Sequence, residues 1–597
     1  MHAYDASRRI RPSYGLLGIK ILIGLVLWGP VLLAYAVGQT HVSRIPAHPI
    51  TVKASGGKIT FPATLIPAVP SSLRLVKLTA QTPPETFLRE SLAKVGATAK
   101  DIQPLSNSTL AELKAAPETA VGLVQEDRLI ASWDTQTGES QILPQLDKLP
   151  TATYAGAKDE HLAQASTLAR QIFASSEILP KDVTQYALGV PRPVVGSTAQ
   201  LASSGVKPTV SDTKLYLTYV AVSRTVNGYK VYGTGSHAAV AIGTDGNVYG
   251  LVNRWKAGSF AAAVTERRSK AQIQAALLAT LKPLTSNSNV EVISVVIAYY
   301  DANVDSMTPV YRVVSRLHPL PSAGANTQLL QSTDYVAMYM AYGNGKLPAE
   351  LVPGSGPSPS TAPANRSALQ QAVVPVGDPT VGRYVVRDAQ AGFVSEANGF
   401  WNGLQSSHNA GQFTNSQYYW AQPFVYTTDE QSFVNNVNVA LTEAHGAPWL
   451  FTTESNCCDV VNINNIPASE GYGAANHGKL DYWIIHSCEV VPSAEDNAEW
   501  WTPWFKVFQG LHAVMGSRTD MLFDNGAVNQ PFGQNIGNGA SVVSAWFNAT
   551  LSYYPASEQP PTDRPSAVTV CGHEPDTVFN TAALPAASCL TNYWQPN

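Results

Sequence analysis

His445 and Cys488 are the residues of this 597-residue chain whose types and setting could do covalent chemistry. A thiolate attacks electrophilic carbon, and a nearby imidazole either takes the thiol proton or stabilises the anion. Gly446 follows the histidine directly, and a residue without a side chain lets substrate approach its backbone N–H. That N–H and the one on Cys488 would together bind an oxyanion. The remaining cysteines, Cys457, Cys458, Cys571 and Cys589, supply two disulfides in one of several connectivities in an oxidising setting, which leaves Cys488 as the odd thiol. The competing arrangement bridges Cys488 to one of them and makes it inert.

Two strands must carry this pair. Val437 to Thr442 reads as a buried strand running into Glu443-Ala444-His445-Gly446, and Leu480 to Ile485 reads as a second, ending in His486-Ser487-Cys488-Glu489. The carboxyl ends of strands form the ligand crevice of open α/β sheets, so two neighbouring parallel strands would present His445 and Cys488 to one cleft. The segment between them is long enough for a crossover connection. Trp500 to Gln509 then reads as a helix, Gly510 to Gly516 as a strand and Gly539 to Tyr553 as a further helix.

Strand then His-Gly, strand then Cys, resembles the plan of the caspase, legumain and gingipain superfamily of cysteine peptidases, and Ser487-Cys488-Glu489 is most similar to the legumain form. The resemblance covers about a third of the chain. It implies a cysteine nucleophile at Cys488, a catalytic histidine at His445, a peptide or protein substrate, and no metal or organic cofactor. The chain departs from that plan at His486, just before Ser487-Cys488, and at Glu454-Ser-Asn-Cys-Cys-Asp459, which matches nothing in those peptidases. No specificity pocket can be placed.

Other chemistry-bearing residues read more simply. His445, His477, His486, Cys457, Cys458 and Cys488 are zinc-ligand types, but adjacent Cys457-Cys458 lacks knuckle spacing. His477-Gly478 follows a glycine-rich loop. Trp501, Trp504, Phe505 and Phe508 fall at helical spacing, which marks a face packed on a sheet more often than a sugar platform. The glycosylation triplets at Asn107, Asn365 and Asn548 decide nothing.

Net charge is −4, 14% of residues are charged, and no basic run is interleaved with aromatics, so nucleic acid is excluded as a partner class. Residues 15–38 form an apolar run behind Arg8, Arg9 and Arg11, long enough to span a bilayer with the C-terminal part outside the cytoplasm; Ala34-Tyr35-Ala36 keeps cleavage and secretion open as the alternative.

The expected organisation is a basic tail (1–14), the membrane segment (15–38), an α+β region (41–344, in modules 41–150 and 155–344), a Pro/Ser-rich linker (345–377) and an α/β domain (380–597) with a mainly parallel sheet flanked by helices. Within the α+β region, Pro84 to Val95 reads as a helix. Glu160 to Phe173 and Glu266 to Leu281 also read as helices, and the strand at Lys214 to Val222 is followed by turns at Asn227-Gly228 and Asp245-Gly246. Two functions follow: a membrane-anchored or exported cysteine peptidase, or a non-catalytic cell-surface binding or assembly protein on the same sheet. Oligomeric state is not legible.

Overall fold

Asn227 and Gly228 both take positive φ, 50° and 81°, in a two-residue turn across which Val226 pairs with Tyr229. This mirror-image turn matches the twist of the strands it joins, so the chain here folds back on itself in antiparallel fashion. The computed structural model describes residues 49–53, 56–80, 102–104, 120–126, 128–134, 137–175, 178–202, 207–320, 334–352, 355–363, 379–387, 391–453, 460–553 and 563–597.

In the first half, helix α1 (Tyr154–Ser175) precedes strands β1 (Arg192–Gln200), β2 (Lys214–Val226) and β3 (Ala238–Gly243), in which β2 pairs antiparallel with both neighbours. Helix α2 (Lys270–Leu281) starts at a capping box: the Ser269 hydroxyl accepts from the Gln272 N–H, and the Gln272 side chain accepts from the Ser269 N–H. Ile273, Leu277 and Leu281, at i, i+4 and i+8, form its buried stripe. Strands β4 (Ser306–Pro319) and β5 (Asp334–Ala341) are antiparallel partners.

The second half contributes β6 (Thr380–Val385), helix α3 (Ala391–Gln405), β7 (Thr414–Trp420), β8 (Val439–Glu443), β9 (Tyr482–His486) and β10 (Ala513–Ser517). These five strands lie parallel in the spatial order β7, β6, β8, β9, β10. Then come β11 (Leu522–Phe523), helices α4 (Asn529–Gly537) and α5 (Val542–Tyr553), and β12 (Pro565–Val570) and β13 (Cys589–Trp594). Helices α3 and α4 meet at backbone distance, because a Cβ on Gly403 would strike the Gln530 carbonyl and one on Gly533 the Phe400 carbonyl.

The expected fold class, a separate helix-flanked and mainly parallel sheet, is overturned. Beyond β10 the sheet reverses: β12 pairs antiparallel with β10, β13 with β12, β1 with β13 and β2 with β1. The two halves therefore share one large mixed sheet that is mostly antiparallel. The physical reason is the backbone of β13. Its two edges are satisfied by β12 on one side and by β1, from far earlier in the chain, on the other, so no sheet edge separates the halves. Residues 49–597 form one compact unit, and the stretch read as a linker buries Leu351 and Ala362 in it.

Two further expectations change. Trp500 to Gln509 forms only a single helical turn, Trp504–Val507. Pro503 sits immediately before that turn; Trp504 and Phe508 are fully buried and Trp501 and Phe505 half-buried against the core, so the aromatic spacing marked packing and not helix length. The single-pass membrane anchor is not supported. Its residues, 15–38, lie outside the described ones, and no described helix is long and apolar enough to cross a membrane. The helix read at 84–95 and the pair Cys457-Cys458 also lie outside the described residues.

Candidate active site

The parallel register of β8 and β9 pairs Glu443 with His486. Two residues further along each chain, at matching positions past the strand ends, stand His445 and Cys488. Both belong to the interior: Cys488 is 0% and His445 8% exposed. Gly446 runs against the other strand's extension so closely that a Cβ there would strike the Ser487 Oγ and the Cys488 carbonyl, and only glycine fits. Cys488 is a thiol, and the disulfide among the described residues joins Cys571 to Cys589.

The thiol and the imidazole meet at a third residue that sequence reasoning missed. Asp334 opens β5, in the first half of the chain, and is fully buried. The Cys488 S–H donates to Asp334 Oδ1 at 2.9 Å, and His445 Nδ1 bonds Asp334 Oδ2. The Met521 N–H in turn donates to the Cys488 sulfur at 3.2 Å. What delivers Asp334 is a short parallel pairing of β5 with β11, Tyr335 opposite Leu522, continued by the Tyr335 N–H donating to the Met521 carbonyl at 3.0 Å. In the sequence Asp334 is one acidic residue leading an apolar run, and nothing local distinguishes it from a solvated strand end.

Packing fixes the imidazole. The Phe393 ring, from α3, meets His445 edge-on with centroids 4.9 Å apart and meets Phe523 likewise at 4.7 Å. The His445 backbone N–H donates to Thr452 Oγ1 at 3.1 Å. Electrostatics hold the sulfur in its protonated form. Burial pushes the Cys488 thiol well above its usual range, and the charge of Asp334 and its hydrogen bond push it the same way. Burial likewise raises the neighbouring Glu489 to about 7.

A second polar layer lies at the strand ends themselves. Glu443 Oε2 and His486 Nδ1 are 2.7 Å apart, and the Asn529 amide donates to Glu443 Oε1 at 2.8 Å. Burial pushes the Glu443 carboxyl up and the His486 imidazole down, so it works against charge on both partners of this contact. Glu396, buried above it, is raised to about 8, first by burial. His486, which departs from the peptidase plan, thus belongs to this layer beneath the thiol. His477 sits apart from it, in left-handed backbone at φ 59° at the end of a short loop turn.

The arrangement can store a thiol beside a base, with a carboxyl group between them. Residues 382–575 match the family model described as a domain of unknown function, DUF6345, which is about a third of the chain. No curated protein matches. Among solved structures, the chain is similar to an uncharacterized protein from Eubacterium rectale, at 13% identity over 51% of this chain and 94% of that one, with a TM-score of 0.26.

Proposed function

We propose that the chain is a cysteine hydrolase of peptide bonds kept in a closed state, with Cys488 as nucleophile and His445 as its base. The observation that carries this reading is the meeting of the Cys488 thiol and the His445 imidazole at one carboxyl group, that of Asp334, beyond the ends of adjacent parallel strands. The resemblance of the His-Gly and Ser-Cys-Glu motifs to the caspase, legumain and gingipain peptidases supports it.

In the closed state the thiol proton is committed to Asp334. Withdrawal of that carboxyl lets the imidazole take the proton from sulfur, and the thiolate then attacks the carbonyl carbon of a peptide bond. The N–H groups of Gly446 and Cys488 receive the negative oxygen. The leaving amine takes the proton from the imidazolium, and water, deprotonated by the same imidazole, releases the acid and restores the thiol. No cofactor enters.

The complete burial of Cys488 favours a second reading, a non-catalytic binding or assembly protein in which the thiol is a core residue. Hydrolysis of a mixed peptide library by wild type, Asp334→Asn and Asp334→Asn/Cys488→Ala separates the two. Turnover that rises in the single variant and vanishes in the double variant supports the hydrolase; no turnover in a folded Asp334→Asn protein leaves the non-catalytic reading.

A further inference from the structure

His512, His573 and Asp576 stand at the opposite end of the parallel strands from the thiol. His512 immediately precedes β10, whereas Cys488 follows the far end of its parallel neighbour β9, with Tyr482 opposite Ala513. One ligand-type atom from each of the three residues falls within 4.8 Å of the others. The strands hold them in place. The His512 carbonyl accepts from the Val570 N–H and from Thr569 Oγ1, each at 3.1 Å, and the His573–Asp576 turn follows β12 directly. The Cys571–Cys589 disulfide ties the start of that turn to β13.

The protons of His512 make the arrangement informative. Its Nε2 lies 2.9 Å from the Ala582 carbonyl, which can only accept, so Nε2 carries a hydrogen. In a neutral ring Nδ1 then presents a lone pair, and it does so 2.6 Å from Asp576 Oδ2. The same carboxylate oxygen is 2.7 Å from His573 Nδ1. A lone pair facing a carboxylate oxygen at that distance needs a proton or a cation between the two atoms. A backbone carbonyl on the far nitrogen is also how metal-ligating histidines are oriented.

We propose that His512 Nδ1, His573 Nδ1 and Asp576 bind a divalent ion of the zinc class. Two imidazole nitrogens and one carboxylate oxygen suit zinc, which takes such ligands in fourfold sets. The His573 and Asp576 side chains are 31% and 20% exposed, so an ion enters from solvent and a water completes the set, while the His512 ring is fully buried. The ion clamps the start of β10 to the turn after β12, independently of the chemistry at Cys488.

The test is calorimetric titration of the chelator-treated full chain with zinc chloride, alongside His573→Ala and Asp576→Asn. One ion per chain, a higher melting temperature with zinc, and loss of both effects in the two variants are expected. Cobalt substitution should give the visible absorption bands of a four-coordinate site. His573 is partly exposed in a turn, so its variant retains the fold, which circular dichroism checks. Absence of stoichiometric uptake overturns the proposal. So does uptake undiminished in both variants, which would assign the zinc to others of the 12 histidines, or a nitrogen NMR spectrum with hydrogens on both nitrogens of His512 in zinc-treated protein.

Discussion

Replacing Asp334 by asparagine should weaken the fold and wake the thiol at once. The carboxylate accepts from Cys488 and is bonded to His445, with no solvent to take over either role. A hydrogen bond to a charged group contributes about 1.5–3 kcal/mol, and a thiol is a weak donor, so complete removal in Asp334→Ala costs about 3–5 kcal/mol. Asparagine keeps one acceptor and loses about half of that. Urea denaturation measures the loss. Thiol reactivity should move the other way, because the Asp334 charge and hydrogen bond both help hold the Cys488 thiol up, behind burial itself. Mass-spectrometric mapping of alkylation at pH 8 should therefore find Cys488 labelled faster in Asp334→Asn. Labelling through global unfolding is recognised by its acceleration in dilute urea. Stability within about 0.5 kcal/mol of wild type, or slower labelling in a folded variant, refutes the role given to Asp334.

Asp524 accepts from Arg312 at 3.0 Å, Tyr339 at 2.6 Å and Tyr553 at 2.8 Å, all buried, where β4 and β5 meet the second half of the chain. Asp524→Ala strips the Arg312 guanidinium of its carboxylate and should cost about 3–5 kcal/mol in denaturant titration. Gly446→Ala drives a methyl into Ser487 and the Cys488 carbonyl and should cost about 1–3 kcal/mol, readable as a lower melting temperature. Glu396, with a folded pKa near 8 against 4.5 unfolded, contributes stability that is complete below its unfolded value and lost as pH rises through about 8. Denaturation at pH 5, 7 and 9 should show that decline, and Glu396→Gln should flatten it.

How much of this was legible follows from what side-chain patterns encode. Apolar-rich runs into Glu443 and His486 marked two buried strands, and their matching extensions carry His445 and Cys488 past neighbouring strand ends, because every residue from Val439 to Glu443 and from Tyr482 to His486 is buried. Strand direction is a different matter. Pro565–Val570 and Cys589–Trp594 are buried almost as completely as the parallel strands, yet they run antiparallel, and only their pairing partners decide it. Asp334 was illegible for the same reason. It reaches Cys488 through two ladder pairs between β5 and β11, far apart in sequence, which no local signal announces. His512 and His573 were equally silent, since a register between β10 and β12 and a turn after β12 bring them to Asp576.

On the hydrolase reading, His445 acts as the base for the Cys488 thiol once the Asp334 carboxyl no longer holds the thiol proton. Alkylation of unreduced Asp334→Asn protein, mapped at Cys488 across pH 6 to 9 with and without His445→Ala, tests it most directly. Loss of the imidazole should slow labelling and move its onset to higher pH. Identical profiles in the two folded proteins would contradict it and leave Cys488 as a core thiol.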